Sequence, residues 1–285
     1  MMNIAAFIKR HPVLTYFALT FSISWGGMLL VVDPSHFPGT DKQLPLALLA
    51  MFTGPPVAGI MLTGLVHGRM GLHELLARLL RWRVDARWYA VALLTTPLLA
   101  MATLFALSLT SPVFLPAIVA TDNKAAVLLP GIAAGLITVF EEIGWTGFVV
   151  PRLRLRYGIL ATGLIVGVLW QAWHLLANIW VGSMYSVELS PALFLPLYFL
   201  SGAAQLTAYR ILMVWVYDRT SSLLVATVMH ASHTASTVFI LIPLTTGVPL
   251  LTYILVLAAA LWVVVAAVAV ANGWQLKRVR IEPTR

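Results

Sequence analysis

Apart from His233, four carboxylate and imidazole side chains lie well inside apolar stretches of this sequence. Glu141 and Glu142 are adjacent in one stretch, and His174 and His230 lie in two later ones. An ionised side chain at the middle of a bilayer costs about 2.5–3.5 kcal/mol on insertion scales, so residues of this kind usually serve a function. These four residues are therefore the candidate catalytic residues.

The residue types allow two kinds of hydrolytic chemistry. Glu141, His174 and His230 together form a His₂Glu set, which in catalytic zinc sites leaves one coordination position for water. The bound ion would activate that water and polarise a carbonyl. Without a metal, one glutamate could deprotonate water while a histidine binds the oxyanion. The residues alone leave both routes open.

Adjacent residues in a helix point about 100° apart, so Glu141 and Glu142 are expected to have different roles.

Two simpler explanations for these glutamates and histidines remain open. A histidine in a membrane helix often only donates a hydrogen bond to a neighbouring helix, and a glutamate pair can belong to a proton relay or an ion site of a transporter.

Composition places these residues in a membrane protein. Of 285 residues, 60% are apolar and 10% are charged, and the mean hydropathy is +0.92, which excludes an ordinary soluble domain. There is no cysteine, which excludes a thiol nucleophile and a cysteine-ligated zinc site. Apolar stretches of about 20 residues predict eight transmembrane helices in one polytopic domain, residues 1–285. The predicted spans are 13–32, 44–66, 88–109, 125–149, 158–181, 192–213, 221–242 and 249–272.

The basic residues predict the orientation. All of the 18 Lys and Arg residues except Lys42 and Lys124 fall in alternate connections. By the positive-inside rule these connections and both termini are cytoplasmic. They hold Lys9, Arg10, Arg69, Arg78, Arg81, Arg83, Arg87, Arg152, Arg154, Arg156, Arg210, Arg219, Lys277, Arg278, Arg280 and Arg285. Because these residues occur in short clusters between apolar stretches, no nucleic-acid partner is expected, and membrane lipids are.

Two local patterns concern helix placement. Residues 71–89 mix leucine and tryptophan with arginine, which predicts an amphipathic helix at the cytoplasmic interface, between spans two and three. Gly131 and Gly135, and likewise Gly163 and Gly167, form Gly-x-x-x-Gly pairs that favour close helix contact, although glycine is also simply common in membrane helices.

The sequence around the glutamates resembles the CPBP family, also called the Abi family, of CAAX prenyl proteases and bacteriocin-processing or immunity proteins. Its three motifs are Glu-Glu-x-x-x-Arg, Phe-x-x-x-His and His-x-x-x-Asn. The segments of this chain that correspond to the three motifs, in the same order, are Glu141 to Thr146, Trp170 to His174, and His230 to Thr234. Three further segments also resemble the family, at 53–59, 81–84 and 215–220. With them, the family-like core covers about residues 45–240.

The resemblance implies an eight-helix intramembrane endopeptidase, a metalloprotease that holds Zn²⁺ or another divalent metal. Its substrate would be a lipidated protein or peptide with a prenylated CAAX-like C-terminus. By the same resemblance Glu141 activates water or binds the metal, and Glu142 assists it. His174 and His230 complete the site, one acting on the water and one on the oxyanion. The expected location is a bacterial or archaeal cytoplasmic membrane, with the site open to the cytoplasm.

Three motif positions depart from the family pattern. Thr146 replaces arginine, Trp170 replaces phenylalanine, and Thr234 replaces asparagine. An arginine one turn after Glu142 would pair with its carboxylate, whereas threonine supplies a hydrogen bond but no charge. Altered activity is therefore expected. The alternatives to a protease are a non-catalytic immunity or peptide-binding protein with the same fold, and a proton-coupled transporter.

Overall fold

The eight predicted spans are all present as helices. The computed structural model describes residues 4–32, 42–181 and 189–272, and eight helices in this part of the chain are long and apolar enough to cross a membrane. We label them α1 (Pro12–Val31), α2 (Leu44–Leu79), α3 (Ala86–Ser108), α4 (Ala125–Arg154), α5 (Ile159–Val181), α6 (Pro191–Thr220), α7 (Leu223–Ile240) and α8 (Gly247–Ala271). The predicted basic residues of the C-terminal tail, from Lys277 onward, lie outside the described residues.

Helix α6 ends later than predicted, and this corrects the assignment of Arg210. The helix continues to Thr220 rather than ending near residue 213, and only Ser221 and Ser222 connect it to α7. Ser221 has a φ of 49°, and the Ser222 side chain caps the start of α7 by accepting a hydrogen bond from the backbone N–H of Val225. Arg210 therefore lies inside α6 and not in a cytoplasmic connection. The count of basic residues had assigned it by sequence position alone.

Helix α2 changes direction at Gly68, whose φ of 62° and ψ of −154° are not helical. The chain is helical again to Leu79, and residues 80–85 are not helical before α3 begins. Asp85 caps α3 by accepting a hydrogen bond from the Arg87 backbone N–H. The segment 71–89, predicted as one amphipathic helix, is thus helical as far as Leu79 and again from Ala86. Its position at the membrane interface stays a prediction.

Close contact between α5 and α6 depends on the Gly163 and Gly167 pair. A Cβ atom on Gly163 would lie 2.7 Å from the Cα atom of Ile211, and one on Gly167 would lie 2.5 Å from the Cα atom of Thr207. Both distances are too short for a side chain, so the two backbones touch, as the small-residue pattern predicted. Thr207 and Ile211 flank Arg210, and the contact therefore holds Arg210 against α5.

A second close contact fixes the position of the glutamates. A Cβ atom on Gly144 would lie 2.4 Å from the Pro55 carbonyl oxygen, and one on Gly59 would lie 2.9 Å from the Cα atom of Gly144. The family-like segment 53–59 of α2 therefore packs on α4 two residues after Glu142. A π-helical turn follows at once, from Trp145 to Val149. Such turns are frequent at functional sites because they change the direction of successive side chains.

The outward faces of the helices carry large apolar side chains, including Leu30, Leu136 and Val263, which are 90%, 71% and 69% exposed. The interior instead holds a group of buried ionisable residues, which are Glu141, Glu142, Arg210, His230 and His233. This distribution is the one expected of a helical bundle surrounded by lipid, in which charged groups turn inward and pair.

The contact between α5 and α6 gives a first prediction. Gly167→Ala would place a methyl group against the α6 backbone and should lower the free energy of unfolding by about 1–3 kcal/mol through overpacking. The matched control is Gly26→Ala, because a Cβ atom at Gly26 meets nothing within 4 Å. Thermal unfolding in detergent should show a lower Tm for Gly167→Ala only. Equal Tm values would contradict backbone contact between the two helices.

The orientation gives a second prediction. Since the chain has no cysteine, single introduced cysteines report their side of the membrane without background. Arg156 and Asn123 are both exposed, at opposite ends of α4. In intact cells, a membrane-impermeant thiol reagent should label Asn123→Cys, and it should label Arg156→Cys only after the cells are opened. The reverse pattern would contradict the predicted cytoplasmic termini.

Candidate active site

The two adjacent glutamates point to different neighbours, as the helical geometry predicted. Glu141 is 3% exposed, and its Oε2 atom accepts a hydrogen bond of 2.9 Å from Trp170 Nε1 on α5. Glu142 is fully buried and faces α6 and α7. The two carboxylates therefore lie in different surroundings, which is the precondition for different roles.

Glu142 forms a buried ion pair with Arg210. The Nη1 atom of Arg210 lies 3.0 Å from both carboxylate oxygens, and it lies 3.4 Å from the Thr146 hydroxyl. The Thr146 hydroxyl in turn donates a hydrogen bond to Glu142 Oε2. Both charged side chains are 0% exposed. Because neither charge can reach water, each depends on the other for its stability.

The same guanidinium lies over an aromatic ring. Its Cζ atom is 4.1 Å from the centre of the Trp170 ring, a cation–π contact that contributes on the order of 2 kcal/mol where both groups are desolvated. The Nε and Nη2 atoms of Arg210 have no hydrogen-bond partner among the described residues. Glu142 and the Trp170 ring thus provide the main stabilising contacts of this charge.

His230 on α7 lies between Glu142 of α4 and Trp170 of α5. Its Nδ1 atom is 2.8 Å from Glu142 Oε1, within ion-pair distance but without the alignment of a hydrogen bond. The imidazole also packs edge-on against Trp170, with ring centres 4.7 Å apart and an interplanar angle of 90°. The contact with Glu142 occupies Nδ1 and leaves Nε2, on the other side of the ring, for a ligand or substrate.

The hydrogen-bond partner of His174 determines its tautomer. Its Nδ1 atom lies 2.9 Å from the backbone carbonyl oxygen of Trp170. Because a carbonyl oxygen can only accept a hydrogen bond, Nδ1 carries the hydrogen, and Nε2 of the neutral ring has a free lone pair. The side chain is half-buried and close enough to Glu141 for electrostatic interaction. It is therefore placed to accept a proton or a metal beside Glu141.

Trp170 contacts four of the ionisable residues of the site. It donates to Glu141, its carbonyl accepts from His174, and its ring packs on Arg210 and His230. A phenylalanine, which the family motif has here, could make the ring contacts but has no N–H for Glu141. The replacement is therefore more than a change of ring size, a point that motif comparison alone missed.

The residues as arranged do not form a metal-binding set. Among the described residues, no three His, Asp or Glu side chains come together in a way that could hold a metal ion. Glu141, His174 and His230 are neighbours, but a hydrogen bond from Trp170 occupies Glu141 Oε2 and His230 Nδ1 faces Glu142. The predicted divalent metal stays a prediction.

Two further polar residues of α7 lie at the edge of the site. The Nδ1 atom of His233 is 3.3 Å from the Thr96 hydroxyl, and its ring stacks on Tyr209 at 4.1 Å, so it belongs to the contact between α3, α6 and α7. Thr234 is half-buried, and its hydroxyl makes no hydrogen bond within the part of the chain that the structure describes. A second π-helical turn, Ala235–Ile240, follows it directly.

Three aromatic residues near the site pack into the core. Trp145, Phe148 and Trp173 are all 0% exposed, and Trp145 contacts both Tyr16 and Trp173 edge-on, at 5.4 Å and 5.8 Å. Their burial and ring contacts indicate that these residues pack the helices together rather than line a route for an apolar substrate tail.

Comparison with known proteins identifies the segment that holds the site. Residues 123–236 match the family model described as type II CAAX prenyl endopeptidase Rce1-like. CAAX prenyl protease 2 of Methanococcus maripaludis is 33% identical over 54 residues. That match covers 19% of this chain and 20% of the relative, so the chain spans about a fifth of the relative's length. The family resemblance is confirmed, and the matched segment contains both glutamates, His174, Arg210 and His230.

The ion pair predicts an asymmetry between two glutamates. Glu142→Gln would leave the Arg210 charge buried without its partner and should lower the free energy of unfolding by about 3–5 kcal/mol. The control is Glu74→Gln, because Glu74 is 72% exposed and only 3.9 Å from Arg78 on the same helix. Thermal unfolding should therefore separate the two variants. A Glu142→Gln protein as stable as the control would contradict the buried pair.

Proposed function

We propose that this protein is an intramembrane endopeptidase, because residues 123–236 match the model of the type II CAAX prenyl endopeptidase family. In this proposal it hydrolyses a peptide bond in a membrane-associated substrate, and water activated by Glu141 is the nucleophile. The observation that carries the proposal is the division of labour between the glutamates. Arg210 neutralises Glu142, whereas among the described residues Glu141 accepts a hydrogen bond from the uncharged indole of Trp170 and lies near the imidazole of His174.

Glu141 and His174 are the groups proposed to act on water. Glu141 has no cationic partner among the described residues and is proposed to take a proton from water, and the free Nε2 lone pair of His174 can accept a hydrogen bond from the same water molecule. The water oxygen then attacks the carbonyl carbon of the substrate, and its proton passes to Glu141. The same proton is later transferred to the leaving nitrogen, so that the C–N bond breaks to give a carboxylate and an amine.

His230 is proposed to stabilise the oxyanion. Because its Nδ1 atom faces Glu142, Nε2 is directed away from the carboxylate and can present an N–H to the oxyanion. A donor placed in advance toward the developing charge, in a site that excludes water, stabilises a tetrahedral intermediate strongly. Glu142 is thus assigned an orienting role, because a carboxylate enclosed by Arg210, Thr146 and His230 has no face left for water.

The proposed substrate is a lipidated peptide with a prenylated CAAX-like C-terminus. The family name and the name of the archaeal relative support this class. The eight apolar helices support it as well, since a lipid-anchored peptide is concentrated at the membrane that holds the enzyme. A site reached from the cytoplasmic side remains part of the proposal.

The test is cleavage of a fluorogenic prenylated peptide by the purified protein in detergent. Glu141→Gln should lower kcat by about 100-fold or more, because it removes the general base while keeping the size of the side chain. Glu74→Gln, at an exposed position of α2, should cleave like the wild type. A parallel assay with chelator, and with Zn²⁺ added back, tests the predicted metal. Loss and recovery of activity would establish it.

Other outcomes would point to other functions. A wild-type protein that is folded but cleaves neither prenylated nor unlipidated peptides would contradict the proposal and favour a non-catalytic, peptide-binding member of the family. Binding of the prenylated peptide without cleavage, unchanged in Glu141→Gln, would establish that alternative. Full activity in Glu141→Gln would show that another group activates the water.

A further inference from the structure

We propose that Arg210 is a positioning residue that supplies, from α6, the positive charge that the family motif places at position 146 of α4. In this view the two positions are alternative locations for a single charge that holds Glu142, and through it His230. The inference rests on the proposed function where it concerns catalysis, but its structural part can be tested without any substrate.

The side chains at positions 146 and 210 both contact the carboxylate of Glu142. Thr146 lies one turn after Glu142 on the same helix and donates to its Oε2 atom, while Arg210 Nη1 lies 3.0 Å from that oxygen. The same Nη1 atom is 3.4 Å from the Thr146 hydroxyl. The end of an arginine side chain at position 146 would therefore occupy the space that the Arg210 guanidinium now fills. Two such charges in one closed site would also repel each other.

Small and aromatic residues around Arg210 complete the arrangement. Gly163 and Gly167 let α6 approach α5 until the backbones touch on both sides of Arg210. This approach places the guanidinium 4.1 Å from the centre of the Trp170 ring. The departures Thr146 and Trp170 then belong together, because threonine leaves room for the guanidinium and the indole supports it. In the proposal, Arg210 thus compensates for the missing arginine at position 146 within the same site.

Arg210 acts at a distance from the reacting atoms. Its side chain is 0% exposed and touches Glu142, Thr146 and Trp170, none of which is the proposed base. Removing it would leave Glu142 free to move and His230 without a fixed partner. Residues that orient a catalytic group in this way typically contribute 10–100-fold, by analogy with the groups that orient metal ligands. The loss should appear in kcat, while KM for the prenylated peptide stays close to the wild-type value.

The experiment moves the charge back to α4. Arg210→Ala and Thr146→Arg are made singly and together, and the size control combines Arg210→Ala with Thr146→Met. Each single variant should lower kcat by about 10–100-fold. The double variant with Thr146→Arg should recover to within about tenfold of the wild type, and the double variant with Thr146→Met should not. Recovery with methionine would show that volume, not charge, matters, and no recovery with arginine would overturn the proposal.

Thermal unfolding of the same variants gives a readout that does not depend on cleavage. Arg210→Ala should lower the Tm by roughly 6 °C or more, since it leaves a buried carboxylate without its partner. Adding Thr146→Arg should restore most of that loss, and adding Thr146→Met should restore none. If the wild type cleaves no peptide, the proposed function fails, yet this pattern would still support the exchange of position. Without restoration by arginine, the exchange is wrong whatever the activity.

Discussion

The site depends on a pair of opposite charges that water cannot reach. Glu142 and Arg210 are completely buried, so either charge alone would destabilise the fold, and α4 and α6 must meet where they do. The need to enclose this ion pair also fixes the neighbouring helices. Trp170 on α5 covers the guanidinium, and His230 on α7 lies against the carboxylate. The convergence of four helices thus follows from satisfying one buried ion pair.

The same pair separates the functions of the two glutamates. In the proposed mechanism, the carboxylate enclosed by a guanidinium, a hydroxyl and an imidazole is an anchor, whereas the one bound to a neutral indole beside a half-buried histidine acts on water. Helical geometry creates this difference at no cost, because adjacent residues face different helices. Two identical side chains next to each other can therefore hold a structural and a chemical role.

Much of this arrangement could be predicted from the sequence. The lengths of the apolar stretches gave all eight helices, since the bilayer sets a minimum length for a span. The Gly163 and Gly167 pair indicated a close helix contact, which α5 and α6 make. Glu141, Glu142, His174 and His230 were recognisable because ionisable residues are rare in such stretches. The matched segment 123–236 is narrower than the expected core of 45–240, which stays a prediction at its N-terminal side.

The partner of Glu142 could not be identified in the same way. Arg210 lay within the predicted sixth span, which was a sign of function, but counting basic residues for topology placed it in a connection. Its distance from Glu142 along the chain gives no local pattern, and Thr146 at the motif position suggested that the charge was missing. Likewise, the hydrogen bond that the Trp170 N–H donates to Glu141 could not be predicted, because Glu141 lies on another helix. Contacts between helices decide these roles, and helix periodicity does not report them.

The most direct measurement is a double-mutant cycle on the ion pair. The free energy of unfolding would be compared for the wild type, Glu142→Gln, Arg210→Met and the two changes combined. A buried pair predicts that the double variant loses clearly less than the sum of the single losses, with a coupling of about 1–3 kcal/mol or more. Additive losses would mean that Glu142 and Arg210 do not interact, and would contradict the account of how this site is held together.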